Sequence, residues 1–211
     1  MNLENTGWLK TNQLLNASEI HALKQKLSNK NSNSRKVYQL DKSDMQLPEI
    51  QKLIYYFQNK LSTSEIYSKT VLQKIWRVQT TETNSTPGKL PYIPHFDRRR
   101  FVKLMVYLND VTTADGPFTT ASHSVDLYEV KRRNLPDDYK DKKLNSKLEA
   151  HDYNEVLFTS GTGVIFDTNC AHYAKPVQAG GGRDAIRIDF EDYRWNRHLD
   201  SWLTQVGRFF G

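Results

Sequence analysis

The sequence predicts a mainly β protein, a sandwich or jelly roll, with two helices packed outside it. Three observations predict this. Apolar residues recur at helical spacing in the first 65 residues. From Val71 onward, short runs rich in β-branched and aromatic residues replace that pattern. Gly/Pro turns separate those runs, and many short strands joined by such turns fold into two facing sheets.

Gly7-Trp8-Leu9 is a short apolar stretch that leads through Asn12 to Leu14 and Leu15. Asn16 stands three residues before Glu19, the spacing of a capping box. Ile20, Leu23 and Leu27 then share one face, which predicts a helix over 17–28. Residues 29–35 are rich in Asn, Ser and Lys and read as a loop. A second helix is predicted over 47–61. Pro48 suits its first turn, and Ile50, Leu53, Ile54 and Phe57 line one face.

Val71, Leu72, Ile75, Trp76 and Val78 indicate a strand, followed by a polar turn over 80–89 around Pro87-Gly88. Residues 101–108 form a strand that is apolar on much of both faces. Asp115-Gly116-Pro117 is a turn. The stretch 136–147 is charged and irregular, with room for one short helix. Short strands are expected at 156–158 and 163–166, the second entered through Gly161-Thr162-Gly163. Residues 185–190 alternate with period two. Near the end, Trp202, Leu203, Val206, Phe209 and Phe210 make an apolar stripe at helical spacing. A helix over about 195–210 would cap the barrel or form a dimer contact. No internal repeat is evident. One domain, 1–211, is therefore expected, with a helical part at 1–65, a β core at 71–192 and the terminal helix.

Composition narrows the function classes. Hydrophobic content of 37% and charged content of 26% suit a globular domain large enough to bury a core. No apolar run approaches the roughly 18 residues of a membrane span. Residues 1–10 lack a basic-then-apolar secretory pattern, so a cytoplasmic location is expected. Cys170 is the only cysteine. That excludes an intrachain disulfide and a Cys-based zinc site, and its position at the end of an apolar run marks a buried, inert thiol. The net charge of +6 is concentrated in Arg98-Arg99-Arg100 and in 131–147. With no nucleic-acid motif beside it, this charge reads as a solvated basic face. A small-molecule substrate is expected, with neither a membrane nor a nucleic acid as partner. The oligomeric state is left open.

His95-Phe96-Asp97 is the centre of the functional reading. On an extended segment, residues two apart project to the same side, so His95 and Asp97 can reach one ion while Phe96 packs the other way. His172 comes 75 residues after Asp97, and a closed sheet structure can bring a strand that distant alongside. Two imidazoles and one carboxylate, without sulfur, fit three corners of an octahedral iron and leave three open for substrate and dioxygen. Taken alone, His-x-Asp is a weak signal. Context strengthens it: Arg183 and Arg187 lie 11 and 15 residues beyond His172. Period two puts Arg183, Ala185, Arg187 and Asp189 on one strand face. A guanidinium fork clamps a carboxylate, and burying it is costly unless an anion meets it. The dicarboxylate 2-oxoglutarate would supply that anion. Gln79 and Tyr92 precede the triad on segments expected to line the cavity, as contacts for cosubstrate or substrate.

These residues resemble the phytanoyl-CoA dioxygenase (PhyH)-like branch of the Fe(II)/2-oxoglutarate dioxygenases. Three stretches carry the resemblance: His95-Phe96-Asp97 with the apolar strand to Asn109-Asp110, then Asp115-Gly116-Pro117 through Ser122-His123-Ser124, and finally Gly163-Val164-Ile165-Phe166-Asp167 to His172 and Arg183. It implies a double-stranded β-helix, the jelly-roll core of these enzymes. It implies Fe(II) held by His95, Asp97 and His172, and 2-oxoglutarate with its far carboxylate on Arg183, Arg187 assisting as in some relatives. Dioxygen is the oxidant. The implied reaction hydroxylates an unactivated C–H bond of a small, acidic or amino-acid-like substrate and releases succinate and CO2. A carboxylate at Asp97 favours hydroxylation over halogenation, which needs a vacant metal corner. Ala121 and Ser122 replace the family's Pro and Gly, and Ala174 replaces a hydroxyl residue two after the distal histidine. His123 resembles a loop histidine that is not a ligand. The basic stretch 125–155 is a candidate lid over the cavity mouth, with Arg98, Arg99 and Arg100 facing the same entrance. Three alternatives stand beside this reading: a peptide or nucleobase hydroxylase on the same scaffold, a non-catalytic jelly-roll binding module, and a zinc hydrolase using the same three ligands.

Overall fold

Helices and strands form where the chain has apolar faces to bury against each other. The computed structural model describes residues 3–28, 37–122, 125–134 and 152–196. The helices are α1 (Leu3–Thr6), α2 (Ala17–Lys26), α3 (Lys42–Met45), α4 (Pro48–Ser62), α5 (Val125–Arg133) and α6 (Tyr193–Asn196). The strands are β1 (Trp8–Lys10), β2 (Val37–Gln39), β3 (Val71–Thr81), β4 (Val102–Tyr107), β5 (Phe118–Thr120), β6 (Asn154–Val156), β7 (Gly163–Asp167), β8 (His172–Ala174) and β9 (Gly182–Glu191). They form two antiparallel sheets. The larger has the order β1-β7-β4-β9-β3-β2 and the smaller β6-β5-β8, the layout of a jelly roll. Among the described residues, no helix is long and apolar enough to cross a membrane.

One face of the larger sheet is fixed by the helices. The capping box of α2 closes in both directions: Glu19 N donates to Asn16 Oδ1 at 3.0 Å, and Asn16 N donates to Glu19 Oε2 at 2.8 Å. Ile20 and Leu23 of that helix, with Ile50, Leu53 and Phe57 of α4, join Ile75, Leu104, Val106, Ile186 and Ile188 in one buried cluster. Phe57 meets the Phe190 ring edge-on at 4.8 Å. Each such side chain stabilises the fold by about 1.5–3 kcal/mol when fully buried. This commitment of alternate residues to the helix side turns the others inward. Val78 of β3, Lys103, Met105 and Tyr107 of β4, and Arg183, Ala185 and Arg187 of β9 line a cavity between the sheets.

The N-terminal segment is stitched to the sheet through a glycine turn. Leu14 N and Leu15 N both donate to Gly161 O, at 2.7 and 3.3 Å. Gly161 has φ +83°, and a Cβ there would lie 1.9 Å from Leu15 O, so no other residue fits.

Several boundaries differ from expectation. The strand expected at 156–158 is displaced: β6 ends at Val156, and Phe158 makes a separate bridge to Val111. The strands β1, β2, β5 and β8 have three residues each, too few for a period-two signal. The loop at 29–35, the irregular stretch 136–147, His123 and the terminal helix beyond Asn196 fall outside the described residues.

Arg100 does not face the cavity entrance expected of it. Arg100 is buried, with Nε and Nη2 on Asp167 Oδ2 at 2.9 and 2.6 Å. Arg99 Nη2 pairs with Glu191 Oε1 at 2.6 Å, and Arg98 is half-buried. Helix α5, the start of the candidate lid, is tied to the same network, and residues 135–151 of that stretch lie outside the described residues. Arg132 of the helix is fully buried, binding Glu129 at 2.9 Å and Asn196 Oδ1 at 3.1 Å. Glu129 also accepts from Arg100 Nη1 at 3.2 Å and Asn169 Nδ2 at 2.6 Å. Tyr67 Oη completes the set with a 3.0 Å bond to Asp167. The physical reason is charge compensation: the buried Asp167 and the half-buried Glu129 need cations, and these arginines are the ones within reach.

Among the described residues, removing Asp167 leaves the buried Arg100 with only the single 3.2 Å contact to Glu129 to compensate its charge. Asp167→Ala is expected to destabilise the protein by about 3–5 kcal/mol, read as a lowered urea midpoint. Burial would raise the Glu129 carboxyl, but Arg132 and Arg100 outweigh it and hold it at about 2, against an ordinary 4.5. Its stabilisation is complete above pH 4.5 and is lost as pH falls towards 2. Thermal melting across that window should fall less steeply in Glu129→Gln than in the native protein.

Candidate active site

The site begins with a backbone pairing. His95 N donates to His172 O at 3.0 Å, and His172 N donates to His95 O at 2.8 Å. Two residues that exchange both bonds sit directly opposite one another, and their side chains leave the same face. The two imidazole centroids are accordingly 4.5 Å apart. Strand β8 is itself paired to β5, with Thr120 opposite His172, so the His95 segment extends the smaller sheet by one more partner.

Asp97 follows two residues on, held by its N–H to Thr168 O at 3.0 Å. Phe96 points the other way, fully buried and stacked on Tyr128 at 4.6 Å. Each of His95, Asp97 and His172 offers a ligand atom, and these atoms all lie within 4.8 Å of one another. All three residues are buried.

The donor set fits a divalent metal. His95 Nδ1 lies 2.8 Å from Ile93 O, and His172 Nδ1 lies 2.7 Å from Cys170 O. A carbonyl oxygen only accepts, so each Nδ1 carries the proton and each Nε2 presents its lone pair. His95 Nε2 is 3.7 Å from Asp97 Oδ1. The other carboxylate oxygen, Asp97 Oδ2, accepts from Lys103 Nζ at 2.8 Å. Sequence reasoning missed Lys103. The signal was present: 102, 104 and 106 are the apolar half of the strand, so a lysine at 103 had to face the opposite side.

Arg183 reaches the same cavity. It is buried, and among the described residues no acidic group lies within ion-pairing distance of it. Burial lowers its pKa, while Tyr107 and Tyr92 nearby raise it. Tyr107 in turn is pushed up to about 12 by burial, with Arg183 acting against the shift. Arg187 also lines the cavity but is engaged. Its Nη2 donates to Asp189 Oδ2 at 2.9 Å, and its guanidinium lies 5.3 Å from the Trp76 ring centroid. His172, Phe118, Phe166, Tyr173 and Ala174 form the opposite wall.

One expected contact lies elsewhere. Gln79 is not among the cavity-lining residues. Its Nε2 is 3.4 Å from Asp184 on the helix-side face, because Val78 and Thr80 take the inward positions of β3. Tyr92 stands beside Arg183, but its hydroxyl donates to Asn84 O at 3.2 Å. Cys170 is buried, with Sγ donating to Ala121 O at 2.7 Å. At the altered loop, Ser122 Oγ accepts from Trp8 Nε1 at 3.0 Å.

Comparison with known proteins places this geometry. The profile of the family described as phytanoyl-CoA dioxygenase (PhyH) matches residues 61–185. No curated protein matches the chain in sequence. Among solved structures, EvdO2 from Micromonospora carbonacea var. aurantiaca complexed with 2-oxoglutarate is 13% identical. The match covers 90% of this chain and 87% of that one, with a TM-score of 0.64. The epimerase SnoN in complex with Fe3+, alpha-ketoglutarate and nogalamycin RO is 14% identical, covering 90% and 81%, with a TM-score of 0.64. HygX from Streptomyces hygroscopicus with nickel and 2-oxoglutarate bound is 14% identical, covering 89% and 83%, with a TM-score of 0.59. At these identities the likeness is one of fold, and the fold is the double-stranded β-helix.

Loss of a partner in an outer shell costs a metal site about 10–100-fold in affinity, and loss of a direct ligand costs more. His95→Ala and His172→Ala are each expected to weaken Co(II) binding by at least about 100-fold, measured by calorimetry. Affinity unchanged in both would remove the metal from this site.

Proposed function

We propose the activity of this chain from one premise: it belongs to the phytanoyl-CoA dioxygenase (PhyH) family of Fe(II)/2-oxoglutarate-dependent oxygenases. In the proposed reaction, an unactivated C–H bond of a small, acidic or amino-acid-like substrate becomes C–OH. Dioxygen supplies one oxygen atom to that product and one to succinate, as 2-oxoglutarate loses CO2. The observation that carries this is a pairing inside one cavity. Three metal-donor side chains converge at one place, and a buried arginine without an acidic partner among the described residues waits beside them. Bound 2-oxoglutarate in EvdO2 and HygX supports the same cosubstrate here.

Iron(II) held by His95, Asp97 and His172 would supply the redox chemistry of dioxygen and a Lewis acid for the 2-oxo acid. The protein's own residues do the rest. Ile93 O and Cys170 O fix both imidazoles in the tautomer that offers Nε2. Lys103 occupies Asp97 Oδ2, which turns Oδ1 toward His95 and limits the carboxylate to one ligand atom. Arg183 grips the far carboxylate of 2-oxoglutarate, whose charge relieves the cost of burying the guanidinium. Met105, Phe118, Phe166 and Tyr173 exclude water from the reacting centre. With Asp97 as a ligand, no metal position would be left for a halide, which favours hydroxylation over halogenation.

The test is succinate formation from 2-oxoglutarate under air with Fe(II) and ascorbate. Asp97→Ala should fall to background, and undiminished turnover in that variant would sink the assignment. Losing a charge-assisted hydrogen bond costs about 1.5–3 kcal/mol. Arg183→Met is therefore expected to raise the 2-oxoglutarate KM by about 10–100-fold.

A further inference from the structure

Resting on that proposed function, we propose that Arg187 and Trp76 form a subsite for a single carboxylate of the substrate, separate from the 2-oxoglutarate clamp. 2-Oxoglutarate has two carboxylates. One goes to the metal with the keto group and the other to Arg183, so neither is left for Arg187.

The strand geometry separates the two arginines. They lie four residues apart on one face of β9, about 13 Å at the rise of an extended strand. Arg187 leans away from Arg183, because Asp189, its ion-pair partner, is further along the same face. Trp76, directly across the ladder from Arg187, fixes Asp189 through a 3.0 Å bond from Nε1 to Oδ2. Arg187 is thus held in place by Asp189 on one edge and an indole on its flank. Its Nη1 group has no hydrogen-bond partner among the described residues, and the side chain borders the cavity.

The position suits a substrate anchor. Asp189 is the register partner of Lys103, and Lys103 Nζ reaches Asp97. Arg187 therefore stands toward the Asp97 end of the cavity, while Arg183 stands toward Tyr107. A small molecule anchored at Arg187 would carry its C–H bonds towards the triad.

Charge selects the anchored group. Around Trp76 stand Arg187, Asp189 and Lys74, whose Nζ is 5.7 Å from the ring, leaving one net positive charge. A carboxylate carries one negative charge and needs one guanidinium edge. A phosphate monoester carries about −1.5 to −2 at neutral pH and would press its excess against Asp189.

The test uses Co(II)-loaded protein saturated with 2-oxoglutarate, with phenylacetate and phenylacetamide as probes followed by saturation-transfer NMR. Phenylacetate should bind at least about 10-fold more tightly than the amide, a difference of about 1.4 kcal/mol. In Arg187→Gln that preference should fall to about 1. In Arg187→Lys, which keeps the charge, part of it should survive and show that the site is folded. If 2-oxoglutarate displaces phenylacetate, if the amide binds equally well, or if neither probe binds, the subsite is refuted. Those results would leave 2-oxoglutarate binding and succinate formation intact. Absence of 2-oxoglutarate binding in the native protein would instead overturn the oxygenase reading itself.

Discussion

The reciprocal pair of backbone hydrogen bonds between His95 and His172 is the constraint on which the site depends. It joins two segments that are far apart in the chain and sets both imidazoles on one face at contact distance. Asp97 then arrives by the simple period of an extended segment. A slip of one residue in that pairing would turn one imidazole to the other side of the sheet and dissolve the cluster. The buried ion network around Asp167 matters for this reason. Arg100 and Asp167 clamp the residues just after Asp97 to the turn just before His172, so the pairing is braced from behind.

Two kinds of buried arginine coexist in this fold. Arg100 and Arg132 are satisfied by Asp167, Glu129 and Asn196, and they hold elements together. Arg183 faces the cavity with no acid to meet it among the described residues. Desolvation makes the second arrangement unfavourable unless an anion enters. Structural and functional cations are thus told apart by their partners and not by their burial. Arg187 is intermediate, braced by Asp189 and Trp76 yet open on one edge to the cavity.

Lys103 shows how strand alternation builds a site from within a core strand. The residues at 102, 104 and 106 pack toward the helices, and those at 103, 105 and 107 face the cavity. The same division on β9 separates Ile186 and Ile188 from Arg183 and Arg187. One sheet therefore serves as core wall and site wall at once. Changes on the helix side can be felt in the cavity through a backbone that both faces share.

The sequence by itself determined the class of fold, the two amphipathic helices, the long strands and the donor residues at 95, 97 and 172. Those features rest on local rules: helical period, strand alternation, turn chemistry and the projection of residues two apart. Family resemblance extended them to a cosubstrate and its arginine. What the tertiary structure decided was pairing. It set His95 opposite His172, gave Lys103 to Asp97, drew Arg100 and Arg132 into the interior, and put Gln79 on the far side of its strand. The short strands β5 and β8 were silent in the sequence because three residues cannot display a period. Which charge meets which depends on register between segments remote in the chain. That register is chosen by the packing of the whole core and is written in no local stretch of it.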